Sequence, residues 1–295
     1  MAEHRFGGPW TEEKLARLRK YLSAYMTIFT KNPRAAYFKA VYVDAFAGTG
    51  SRKAPGVGEG ADSLFDIGAD SDAEALRKGS PQIALETEPP FAEYLFVEQD
   101  PEHARALQEV RALFPAVSPR ITIISEDANR FLRRWCQETD WKQTRAVVFL
   151  DPYGMQVEWP TIAAMGSTRA IDLWVLFPLG IGVNRLLLKD RPPEGPWAHR
   201  LTKIFGTEGW RDAFYRESAQ TTLFGGPPEF VKDADFDSIS RFWVARLKTV
   251  FALVAPNPLP LRTSRNNPIY LLSFAAANPR GAETAVKIAQ HILSR

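Results

Sequence analysis

The chain has 295 residues, of which 45% are hydrophobic and 24% are charged, with a formal net charge of +3. This composition is typical of a globular protein and excludes extended disorder. The single cysteine, Cys136, excludes an intramolecular disulfide and a cysteine-rich zinc site. The chain has only four histidines, so it offers few ligands for a histidine-based metal site. The apolar runs are too short for a secretion signal or a membrane helix, so we expect a cytoplasmic protein that does not enter a membrane.

Apolar periodicity predicts a helix near the start of the chain, followed by strands that alternate with helices. Large apolar side chains recur at steps of three and four from Leu15 to Met26, which forms one helical face that ends before Pro33. Strands that alternate with helices indicate an α/β fold, with a mostly parallel sheet and helices on both faces. The strands are predicted at 41–46, 94–98, 121–125, 146–150 and 171–177, and helices between them at 101–114 and 128–139.

Two segments interrupt this alternation. Residues 51–79 combine glycines with six acidic residues, which predicts a mobile, solvated insertion before a helix that Ser80 caps. Residues 183–236 are rich in proline, glycine and tryptophan and predict a helical insertion. Residues 1–182 and 237–295 would then form one Rossmann-like domain. Its C-terminal part is predicted as a helix at 237–252, an extended pair near 259–264 and 269–275 that supplies an antiparallel strand, and a helix at 282–293.

The first predicted strand leads into a glycine turn that contains Asp44, Phe46, Gly48 and Gly50. Such a turn allows a ligand to approach the backbone closely, because glycine has no side chain to collide with it. At the end of a strand it is a general cradle for nucleotide cofactors, and a plain tight turn is the alternative. A dinucleotide site needs a helix directly after the turn, whereas here a long insertion follows.

Acidic residues follow the next two predicted strands. Glu98 ends the second strand, where its carboxylate could accept hydrogen bonds from both hydroxyls of a ribose, and a solvated acid is the alternative. Asp127 follows the third strand, where it either accepts a hydrogen bond from an adenine amino group or caps the next helix. Asp100, close to Glu98, is predicted to begin a helix.

The fourth predicted strand is followed by Asp151, Pro152, Tyr153 and Gly154. They lie at the carboxyl edge of the sheet, where open α/β sheets bind their ligands. The carboxylate could accept a hydrogen bond from an exocyclic amine, and the aromatic ring could stack on a base. A turn that caps the following helix is the alternative.

The order of these four motifs resembles the class I S-adenosylmethionine (SAM) methyltransferases. Segments 42–48, 79–81, 96–98 and 149–154 are more closely similar to the three-Cys-motif partner (TcmP) family, and so is the N-terminal helix with Lys14 and Tyr21. The resemblance is clear over about residues 10–180. The chain differs in one respect from the related amino-methyltransferase signature. That signature carries two prolines before its aromatic residue, whereas this chain has only Pro152.

The resemblance implies that SAM is the cofactor and that Asp151, Pro152 and Tyr153 face the methyl acceptor. The acceptor would be an exocyclic base amine of a nucleic acid, adenine N6 or cytosine N4. Methyl transfer from a sulfonium mostly requires that the reacting atoms are positioned, which fits a site without histidine or cysteine. The implied cofactor-binding residues, from the methionine end to the adenine, are Asp44, Phe46, Gly48, Gly50, Glu98 and Asp127.

A basic segment in the predicted insertion is the candidate acceptor-binding surface. Residues 185–203 hold five basic residues against two acidic ones. Basic side chains neutralise phosphates and aromatic rings stack on bases, while a solvated helix face with core tryptophans is equally compatible with the pattern. The candidate substrate-binding residues are Arg185, Lys189, Trp197, Arg200 and Lys203.

Two other functions fit the same sequence. The TcmP resemblance implies a partner, a separate radical-SAM-like protein with three cysteines, so the chain could be a catalytically silent methyltransferase-like protein that serves this partner. A nicotinamide-dependent oxidoreductase on a Rossmann fold is the third interpretation. Phe46 and the insertion after the glycine turn argue against it.

Overall fold

A computed structural model of the protein describes residues 9–47, 79–218 and 230–294. The predicted insertion at 51–79 lies outside the described residues except for Gly79. The helices of the described part are α1 (Pro9–Lys31), α2 (Pro33–Ala36), α3 (Ser80–Leu85), α4 (Pro101–Ala112), α5 (Ala128–Glu138), α6 (Trp159–Ser167), α7 (Asn184–Leu186), α8 (Gly195–Phe205), α9 (Trp210–Phe214), α10 (Phe236–Lys248) and α11 (Ala282–Leu293).

The strands form one large sheet and one small sheet. Strands β1 to β5 run parallel in the order β3-β2-β1-β4-β5, and β10 continues the sheet antiparallel to β5. Both β8 and β9 pair with the far side of β10. This confirms the predicted α/β fold with a mostly parallel sheet and an antiparallel C-terminal strand. The strands are β1 (Lys39–Asp44), β2 (Glu93–Val97), β3 (Ile121–Ile124), β4 (Thr144–Leu150), β5 (Ile171–Phe177), β6 (Tyr215–Glu217), β7 (Phe230–Lys232), β8 (Leu253–Val254), β9 (Leu259–Arg262) and β10 (Pro268–Ala276).

Several boundaries differ from the sequence-based expectations. Strand β1 ends at Asp44, the last residue in register with both neighbouring strands, and the chain then turns at Ala45 and Phe46. Ser80 does not cap α3: Gly79 occupies the cap position with φ 117°, and the Ser80 hydroxyl interacts with Asp44 instead. The segment 183–236 is not wholly helical, because β6 and β7 pair there as a two-stranded antiparallel sheet.

Alternate residues of the central strands face two separate hydrophobic clusters, as expected for a sheet that is covered on both sides. Val43 and Val148 point to the cluster beneath α5, α6, α8 and α10. Tyr42 and Phe149 point to the opposite cluster beneath α1, α3 and α11. Leu201, on α8 in the segment 183–236, belongs to the first cluster. That segment therefore shares its apolar packing with the sheet.

Helix α1 lies across the second face and contacts distant parts of the chain. The Tyr21 hydroxyl donates a hydrogen bond of 2.7 Å to Asp172 Oδ2, near the amino end of β5. The Tyr21 ring lies 5.0 Å from the ring of Phe274 on β10. Arg17 donates a hydrogen bond of 2.9 Å to the carbonyl oxygen of Ile292 in α11. The helix that begins the described chain is thus packed against the strand and helix that end it.

No helix among residues 9–47, 79–218 and 230–294 has the length and apolarity that crossing a membrane would require.

Two glycines with a positive φ offer a matched test of the packing between α6 and α8. A Cβ at Gly206, φ +68°, would lie 1.9 Å from Trp159 Cδ1, whereas a Cβ at Gly154, φ +65°, would meet no described atom within 4 Å. We expect Gly206→Ala to lower the free energy of unfolding by about 3 kcal/mol or more, since left-handed strain adds to the overlap, and Gly154→Ala by about 1 kcal/mol. Urea denaturation measures both, and equal losses would contradict the expected close packing on Trp159.

Candidate functional site

The strand order changes direction between β1 and β4, which are neighbours in the sheet. From β1 the chain builds β2 and β3 on one side, and it then crosses to place β4 and β5 on the other. In open α/β sheets, ligands bind outside the carboxyl ends of the strands at this point. Backbone hydrogen bonds from Ala45 to Phe149, from Ala47 to Val97 and from Glu98 to Ile124 bring the carboxyl ends of β1 to β4 together. The acids at the carboxyl ends of these strands therefore share one edge.

Asp44 ends β1 and is completely buried. Burial, with a smaller contribution from the negative charge of Asp151, raises the pKa of its carboxyl to about 7, despite the lowering effects of the Ser80 hydroxyl, Lys14 and the Phe46 N–H. Asp44 Oδ2 lies 3.4 Å from the Tyr42 hydroxyl, while Oδ1 has no hydrogen-bond partner among the described residues. A buried oxygen of this kind is rare in folded proteins and marks a place where a ligand or water can donate a hydrogen bond.

Asp151, the first residue after β4, makes a buried ion pair. Its Oδ2 lies 2.6 Å from Lys14 Nζ, and the two side chains are 4% and 0% exposed. The Lys14 ammonium also lies 5.7 Å from the centre of the Phe149 ring, whose residue is in register with Asp44. Helix α1 thus places a positive charge next to two of the acids at the sheet edge.

The loop after Asp151 is fixed by amide contacts. The Tyr153 N–H donates to Gln156 Oε1 at 3.1 Å, and the Gln156 carbonyl accepts from Asn129 Nδ2 at 2.9 Å. Asn129 Oδ1 accepts from the Glu158 N–H and from the Thr161 hydroxyl, at 3.0 and 2.9 Å. Pro152 is buried and Tyr153 is half-buried. One buried amide on α5 therefore holds both this loop and the start of α6.

Replacing this amide tests its role in ordering the loop. Asn129→Ala removes three hydrogen bonds and leaves the Thr161 hydroxyl and the Glu158 N–H without the Asn129 oxygen. We expect a loss of about 2–3 kcal/mol in unfolding free energy, together with faster hydrogen exchange at 153–157. Asn257→Ala, at an exposed position, is the control and should change neither quantity. Unchanged exchange in the loop would show that Asn129 does not anchor it.

Glu98 and Asp127 both contact backbone N–H groups at the same edge. Glu98, 15% exposed in its side chain, accepts from the Asp100 N–H at 2.8 Å through Oε1, and His103 Nδ1 lies 3.9 Å from the same oxygen. Asp127 caps α5 by accepting from the Arg130 N–H at 2.9 Å. Asp100 caps α4, as predicted. The capping interpretation of Asp127 is thus seen directly, and its proposed contact with adenine stays a prediction.

The remaining cofactor candidates belong to the glycine turn. Phe46 is partly buried and packs against the hydrophobic cluster under α5 and α6. Gly48 and Gly50 lie outside the described residues. The cradle that they are predicted to form stays a prediction.

The predicted acceptor-binding residues are spread over α7, α8 and the loop between them. Arg185 and Lys189 are exposed, and Arg200 is half-buried. Trp197 is partly buried against the hydrophobic core. Lys203 is bound across to α6, with Nζ 3.0 Å from Glu158 Oε1. Lys203 is therefore already engaged within the protein, whereas Arg185 and Lys189 face the solvent.

Sequence reasoning did not identify three polar residues that shape this region. Lys14 enters the sequence analysis only through the family resemblance. Its spacing is nevertheless informative, because it precedes Leu18 by four residues and Tyr21 by seven, which places it on the buried face of the helix. Asn129 and Lys232 carried no recognisable signal. Lys232 Nζ lies 2.7 Å from Asn184 Oδ1, and burial and the charge of Lys189 lower its pKa.

Comparison with known proteins gives distant likenesses in structure alone. No family model matches the chain, and no curated protein matches it in sequence. The solved structures similar to it include protein LPL1258 of Legionella pneumophila, at 13% identity and a TM-score of 0.38 over 84% of this chain and 94% of that one. Spermidine synthase of Thermotoga maritima is 10% identical, with a TM-score of 0.38 over 91% and 60% of the two chains. The glycopeptide N-methyltransferase MtfA, in complex with SAM, is 11% identical, with a TM-score of 0.32 over 86% of each. Likeness at this level carries no conclusion about activity.

Proposed function

We propose that the protein is a SAM-dependent methyltransferase that acts on an exocyclic base amine of a nucleic acid. The observation that carries the proposal is the set of acids at the point where the strand order reverses. Asp44 ends β1 and Asp151 follows β4, the two strands that flank this point, and Glu98 follows β2 beside them. This is the edge at which open α/β sheets bind nucleotide ligands.

The donors and acceptors of these residues fit SAM. Asp44 Oδ1, buried and without a hydrogen-bond partner in the described part of the chain, is suited to an ammonium donor such as the methionine end of SAM. Glu98 would accept hydrogen bonds from the ribose hydroxyls. Asp127, which uses one oxygen to cap α5, would offer the other to the adenine amino group. Phe46 would supply an apolar wall.

The chemistry requires positioned groups more than reactive ones. When bound, SAM would supply an electrophilic methyl group to the acceptor nitrogen, which would lose one of its protons to the solvent. Asp151 would accept a hydrogen bond from the acceptor amine and orient its lone pair toward the methyl group. Tyr153, which follows the rigid Pro152, would stack on the base, and its backbone is held by Gln156. Arg185 and Lys189 would meet phosphates of the nucleic acid.

Methyl transfer is tested with labelled SAM and a panel of DNA and RNA oligonucleotides. We expect label in adenine or cytosine of one nucleic acid, and we expect Asp151→Asn to remove it while S-adenosylhomocysteine still binds. Label in no nucleic acid under any condition, despite measurable binding of the cofactor, would argue against the proposal. Binding of NAD(P) in place of S-adenosylhomocysteine would favour an oxidoreductase.

A partner role is the second candidate, and the burial of Asp151 favours it. A side chain that is 4% exposed and paired with Lys14 is well placed to stabilise the fold without touching a substrate. The partner would be the radical-SAM-like protein with three cysteines that the family resemblance implies. Co-purification with that protein, together with no methyl transfer by the chain alone, would support this role. Turnover by the isolated chain that Asp151→Asn abolishes would exclude it.

Glu98 provides a separate test of cofactor binding. We expect Glu98→Ala to weaken binding of S-adenosylhomocysteine about tenfold or more, because the ribose hydroxyls lose a charged acceptor. Glu102→Ala, at an exposed position on the neighbouring α4, is the matched control and should bind like the wild type. Calorimetry gives the affinities and urea denaturation checks the fold. Equal affinities in both variants would remove Glu98 from the site.

A further inference from the structure

The amino edge of the sheet, opposite the acids of the candidate site, is built from four segments of the chain. Strands β1, β4 and β5 begin at this edge, and β10 ends there because it runs antiparallel to β5. Backbone hydrogen bonds join the four strands there, from the N–H groups of Lys39, Ala146 and Ala277 to the carbonyl oxygens of Gln143, Ala170 and Ile171, respectively. Neighbouring strands lie about 4.8 Å apart, so the four segments lie within about 15 Å of one another.

Positive charge dominates this edge. The four segments comprise residues 31–39, 140–145, 168–172 and 277–281. Together they hold seven basic residues against two acidic ones, whereas the whole chain holds 37 against 34. Five of the basic residues are exposed and have no acidic partner within 4 Å in the described part of the chain: Lys31, Arg34, Lys142, Arg169 and Arg280.

The two acids of the edge are already engaged. Asp172 accepts a tyrosine hydroxyl from α1 at 2.7 Å, and Asp140 Oδ1 accepts from the Lys142 N–H at 3.0 Å. Lys39 Nζ is paired with Glu93 Oε2, 2.8 Å away at the start of β2. The edge therefore presents an excess of positive charge to the solvent.

An exposed aromatic ring stands among these cations. Tyr37, which follows α2, is 70% exposed, and the centre of its ring lies 5.3 Å from that of Phe38. The Arg145 guanidinium lies 3.7 Å from the centre of the Phe38 ring. Arg145 is itself held, because its Nη1 donates to the carbonyl oxygens of Trp141 and Thr144 at 2.7 Å each. Tyr37 is thus supported by a fixed pair of side chains while most of its own surface is open.

Exposed cations beside an open ring match the chemistry of a single-stranded nucleic acid. Basic side chains neutralise phosphates, and a base that is not stacked in a duplex can stack on an aromatic ring. A duplex keeps its bases stacked on one another, so it would use the charges and leave the ring unused. An acidic peptide would also use the charges, but it carries no bases for the ring.

We propose that this amino-edge surface binds single-stranded nucleic acid, with a base stacked on Tyr37 and with phosphates on the surrounding basic side chains. The amino-edge surface consists of Lys31, Arg34, Tyr37, Lys142, Arg169 and Arg280. It is independent of methyl transfer, because it lies at the edge of the sheet opposite Asp44 and Asp151.

Fluorescence anisotropy with labelled oligo(dT) and oligo(U) tests the role of the ring. We expect Tyr37→Ser to weaken binding about fivefold or more, because one stacked base loses its partner. Tyr37→Phe, which keeps the ring, should bind like the wild type. Leu113→Ser, at a 75% exposed position at the end of α4, is the matched control and should also bind like the wild type. The strand that binds more tightly identifies DNA or RNA as the ligand.

The salt dependence of binding tests the role of the charges. For a single strand, each neutralised phosphate contributes about 0.7 to the slope of log affinity against log salt concentration. The double variant Arg34→Gln with Arg280→Gln should therefore have a slope that is smaller by about 1.4. Arg105→Gln removes an exposed charge from α4 and should leave the slope unchanged.

Several results would overturn the inference. One is binding by Tyr37→Ser as tight as that of the wild type, and another is an unchanged salt slope in the double variant. A third is competition by polyglutamate as strong as that by unlabelled oligo(dT), which would show that charge alone is recognised. Circular dichroism confirms that the variants fold, as expected for exposed positions.

Methyl-transfer assays on the same variants keep the two proposals apart. Binding that Tyr37→Ser weakens, in a protein that transfers no methyl group, would support the amino-edge surface while the proposed function fails. Binding that is lost in Arg185→Gln with Lys189→Gln but is unaffected in Tyr37→Ser would place the nucleic acid at the carboxyl edge alone. In that case the amino-edge surface is excluded and the proposed function stands.

Discussion

Asp44→Asn should make the protein more stable above pH 7 while it removes most of the affinity for the cofactor. Burial raises the pKa of Asp44 from 3.8 to about 7, so the unfolded chain ionises this group from about pH 4, whereas the folded protein does so only near pH 7. The folded state therefore loses stability as the pH rises through this window, and the full cost is present above pH 7. An asparagine has no such cost. A difference of about three pKa units corresponds to about 4 kcal/mol in favour of the variant.

Urea denaturation at pH 4 and pH 8 measures this effect. The two proteins should have similar unfolding free energies at pH 4, and the variant should be more stable at pH 8. Asp212→Asn, at an exposed position, is the control and should change neither value by more than about 0.5 kcal/mol. A variant that is no more stable than the wild type at pH 8 would show that the buried carboxylate carries no such cost.

The same variant tests the cofactor proposal. In the wild type, affinity for S-adenosylhomocysteine should fall about tenfold for each pH unit below 7, because only the ionised Asp44 attracts the ligand ammonium. Asp44→Asn should lose most of the affinity at pH 8 and show no such pH dependence. A residue that destabilises the fold at neutral pH and is needed for binding is the expected signature of a functional group. Tight, pH-independent binding of S-adenosylhomocysteine by Asp44→Asn would contradict the assignment of Asp44 to the cofactor.

Lys14→Met should lower the free energy of unfolding by about 3–5 kcal/mol, because it leaves the buried Asp151 without its countercharge. The double variant with Asp151→Asn should recover most of this loss, since an amide in place of the carboxylate no longer needs an ammonium. Denaturation at pH 7.5 of the wild type, both single variants and the double variant forms a double-mutant cycle. Lys20→Met is the control for loss of a lysine from α1. A Lys14→Met loss below about 1 kcal/mol would mean that the pair does not hold α1 on the sheet.

The sheet could be predicted closely from the sequence because its strands are buried on both faces. Such strands appear as short apolar runs, and the run at 171–177 coincides with β5. The extended pair and the last helix were also predicted, and with them the antiparallel strand β10. Strands β6 and β7 were missed, because three-residue strands carry no usable periodicity. The pairing of β6 with β7 depends on a contact between segments that are separated in the sequence, which local sequence patterns do not reveal.

Part of the candidate site could also be predicted from the sequence. Asp44, Glu98 and Asp151 could be placed at one edge because parallel strands end on the same side of a sheet. The partner of Asp151 could not be predicted, since Lys14 is 137 residues away in sequence. Three-dimensional packing also changes the interpretation of Lys203. A count of charges assigns this residue to binding of the methyl acceptor, whereas the structure pairs it with Glu158.

The contacts of α1 have a consequence for the order of folding. During synthesis α1 is translated well before β10 and α11, but Tyr21 packs on Phe274 in β10 and Arg17 binds the Ile292 carbonyl in α11. Contacts of such large sequence separation form late and slow folding. Until β10 and α11 are available, α1 lacks the surface on which it docks, and Lys14 is not held against Asp151. We therefore expect a nascent chain to complete the acidic edge of its sheet only after β10 and α11 have been translated.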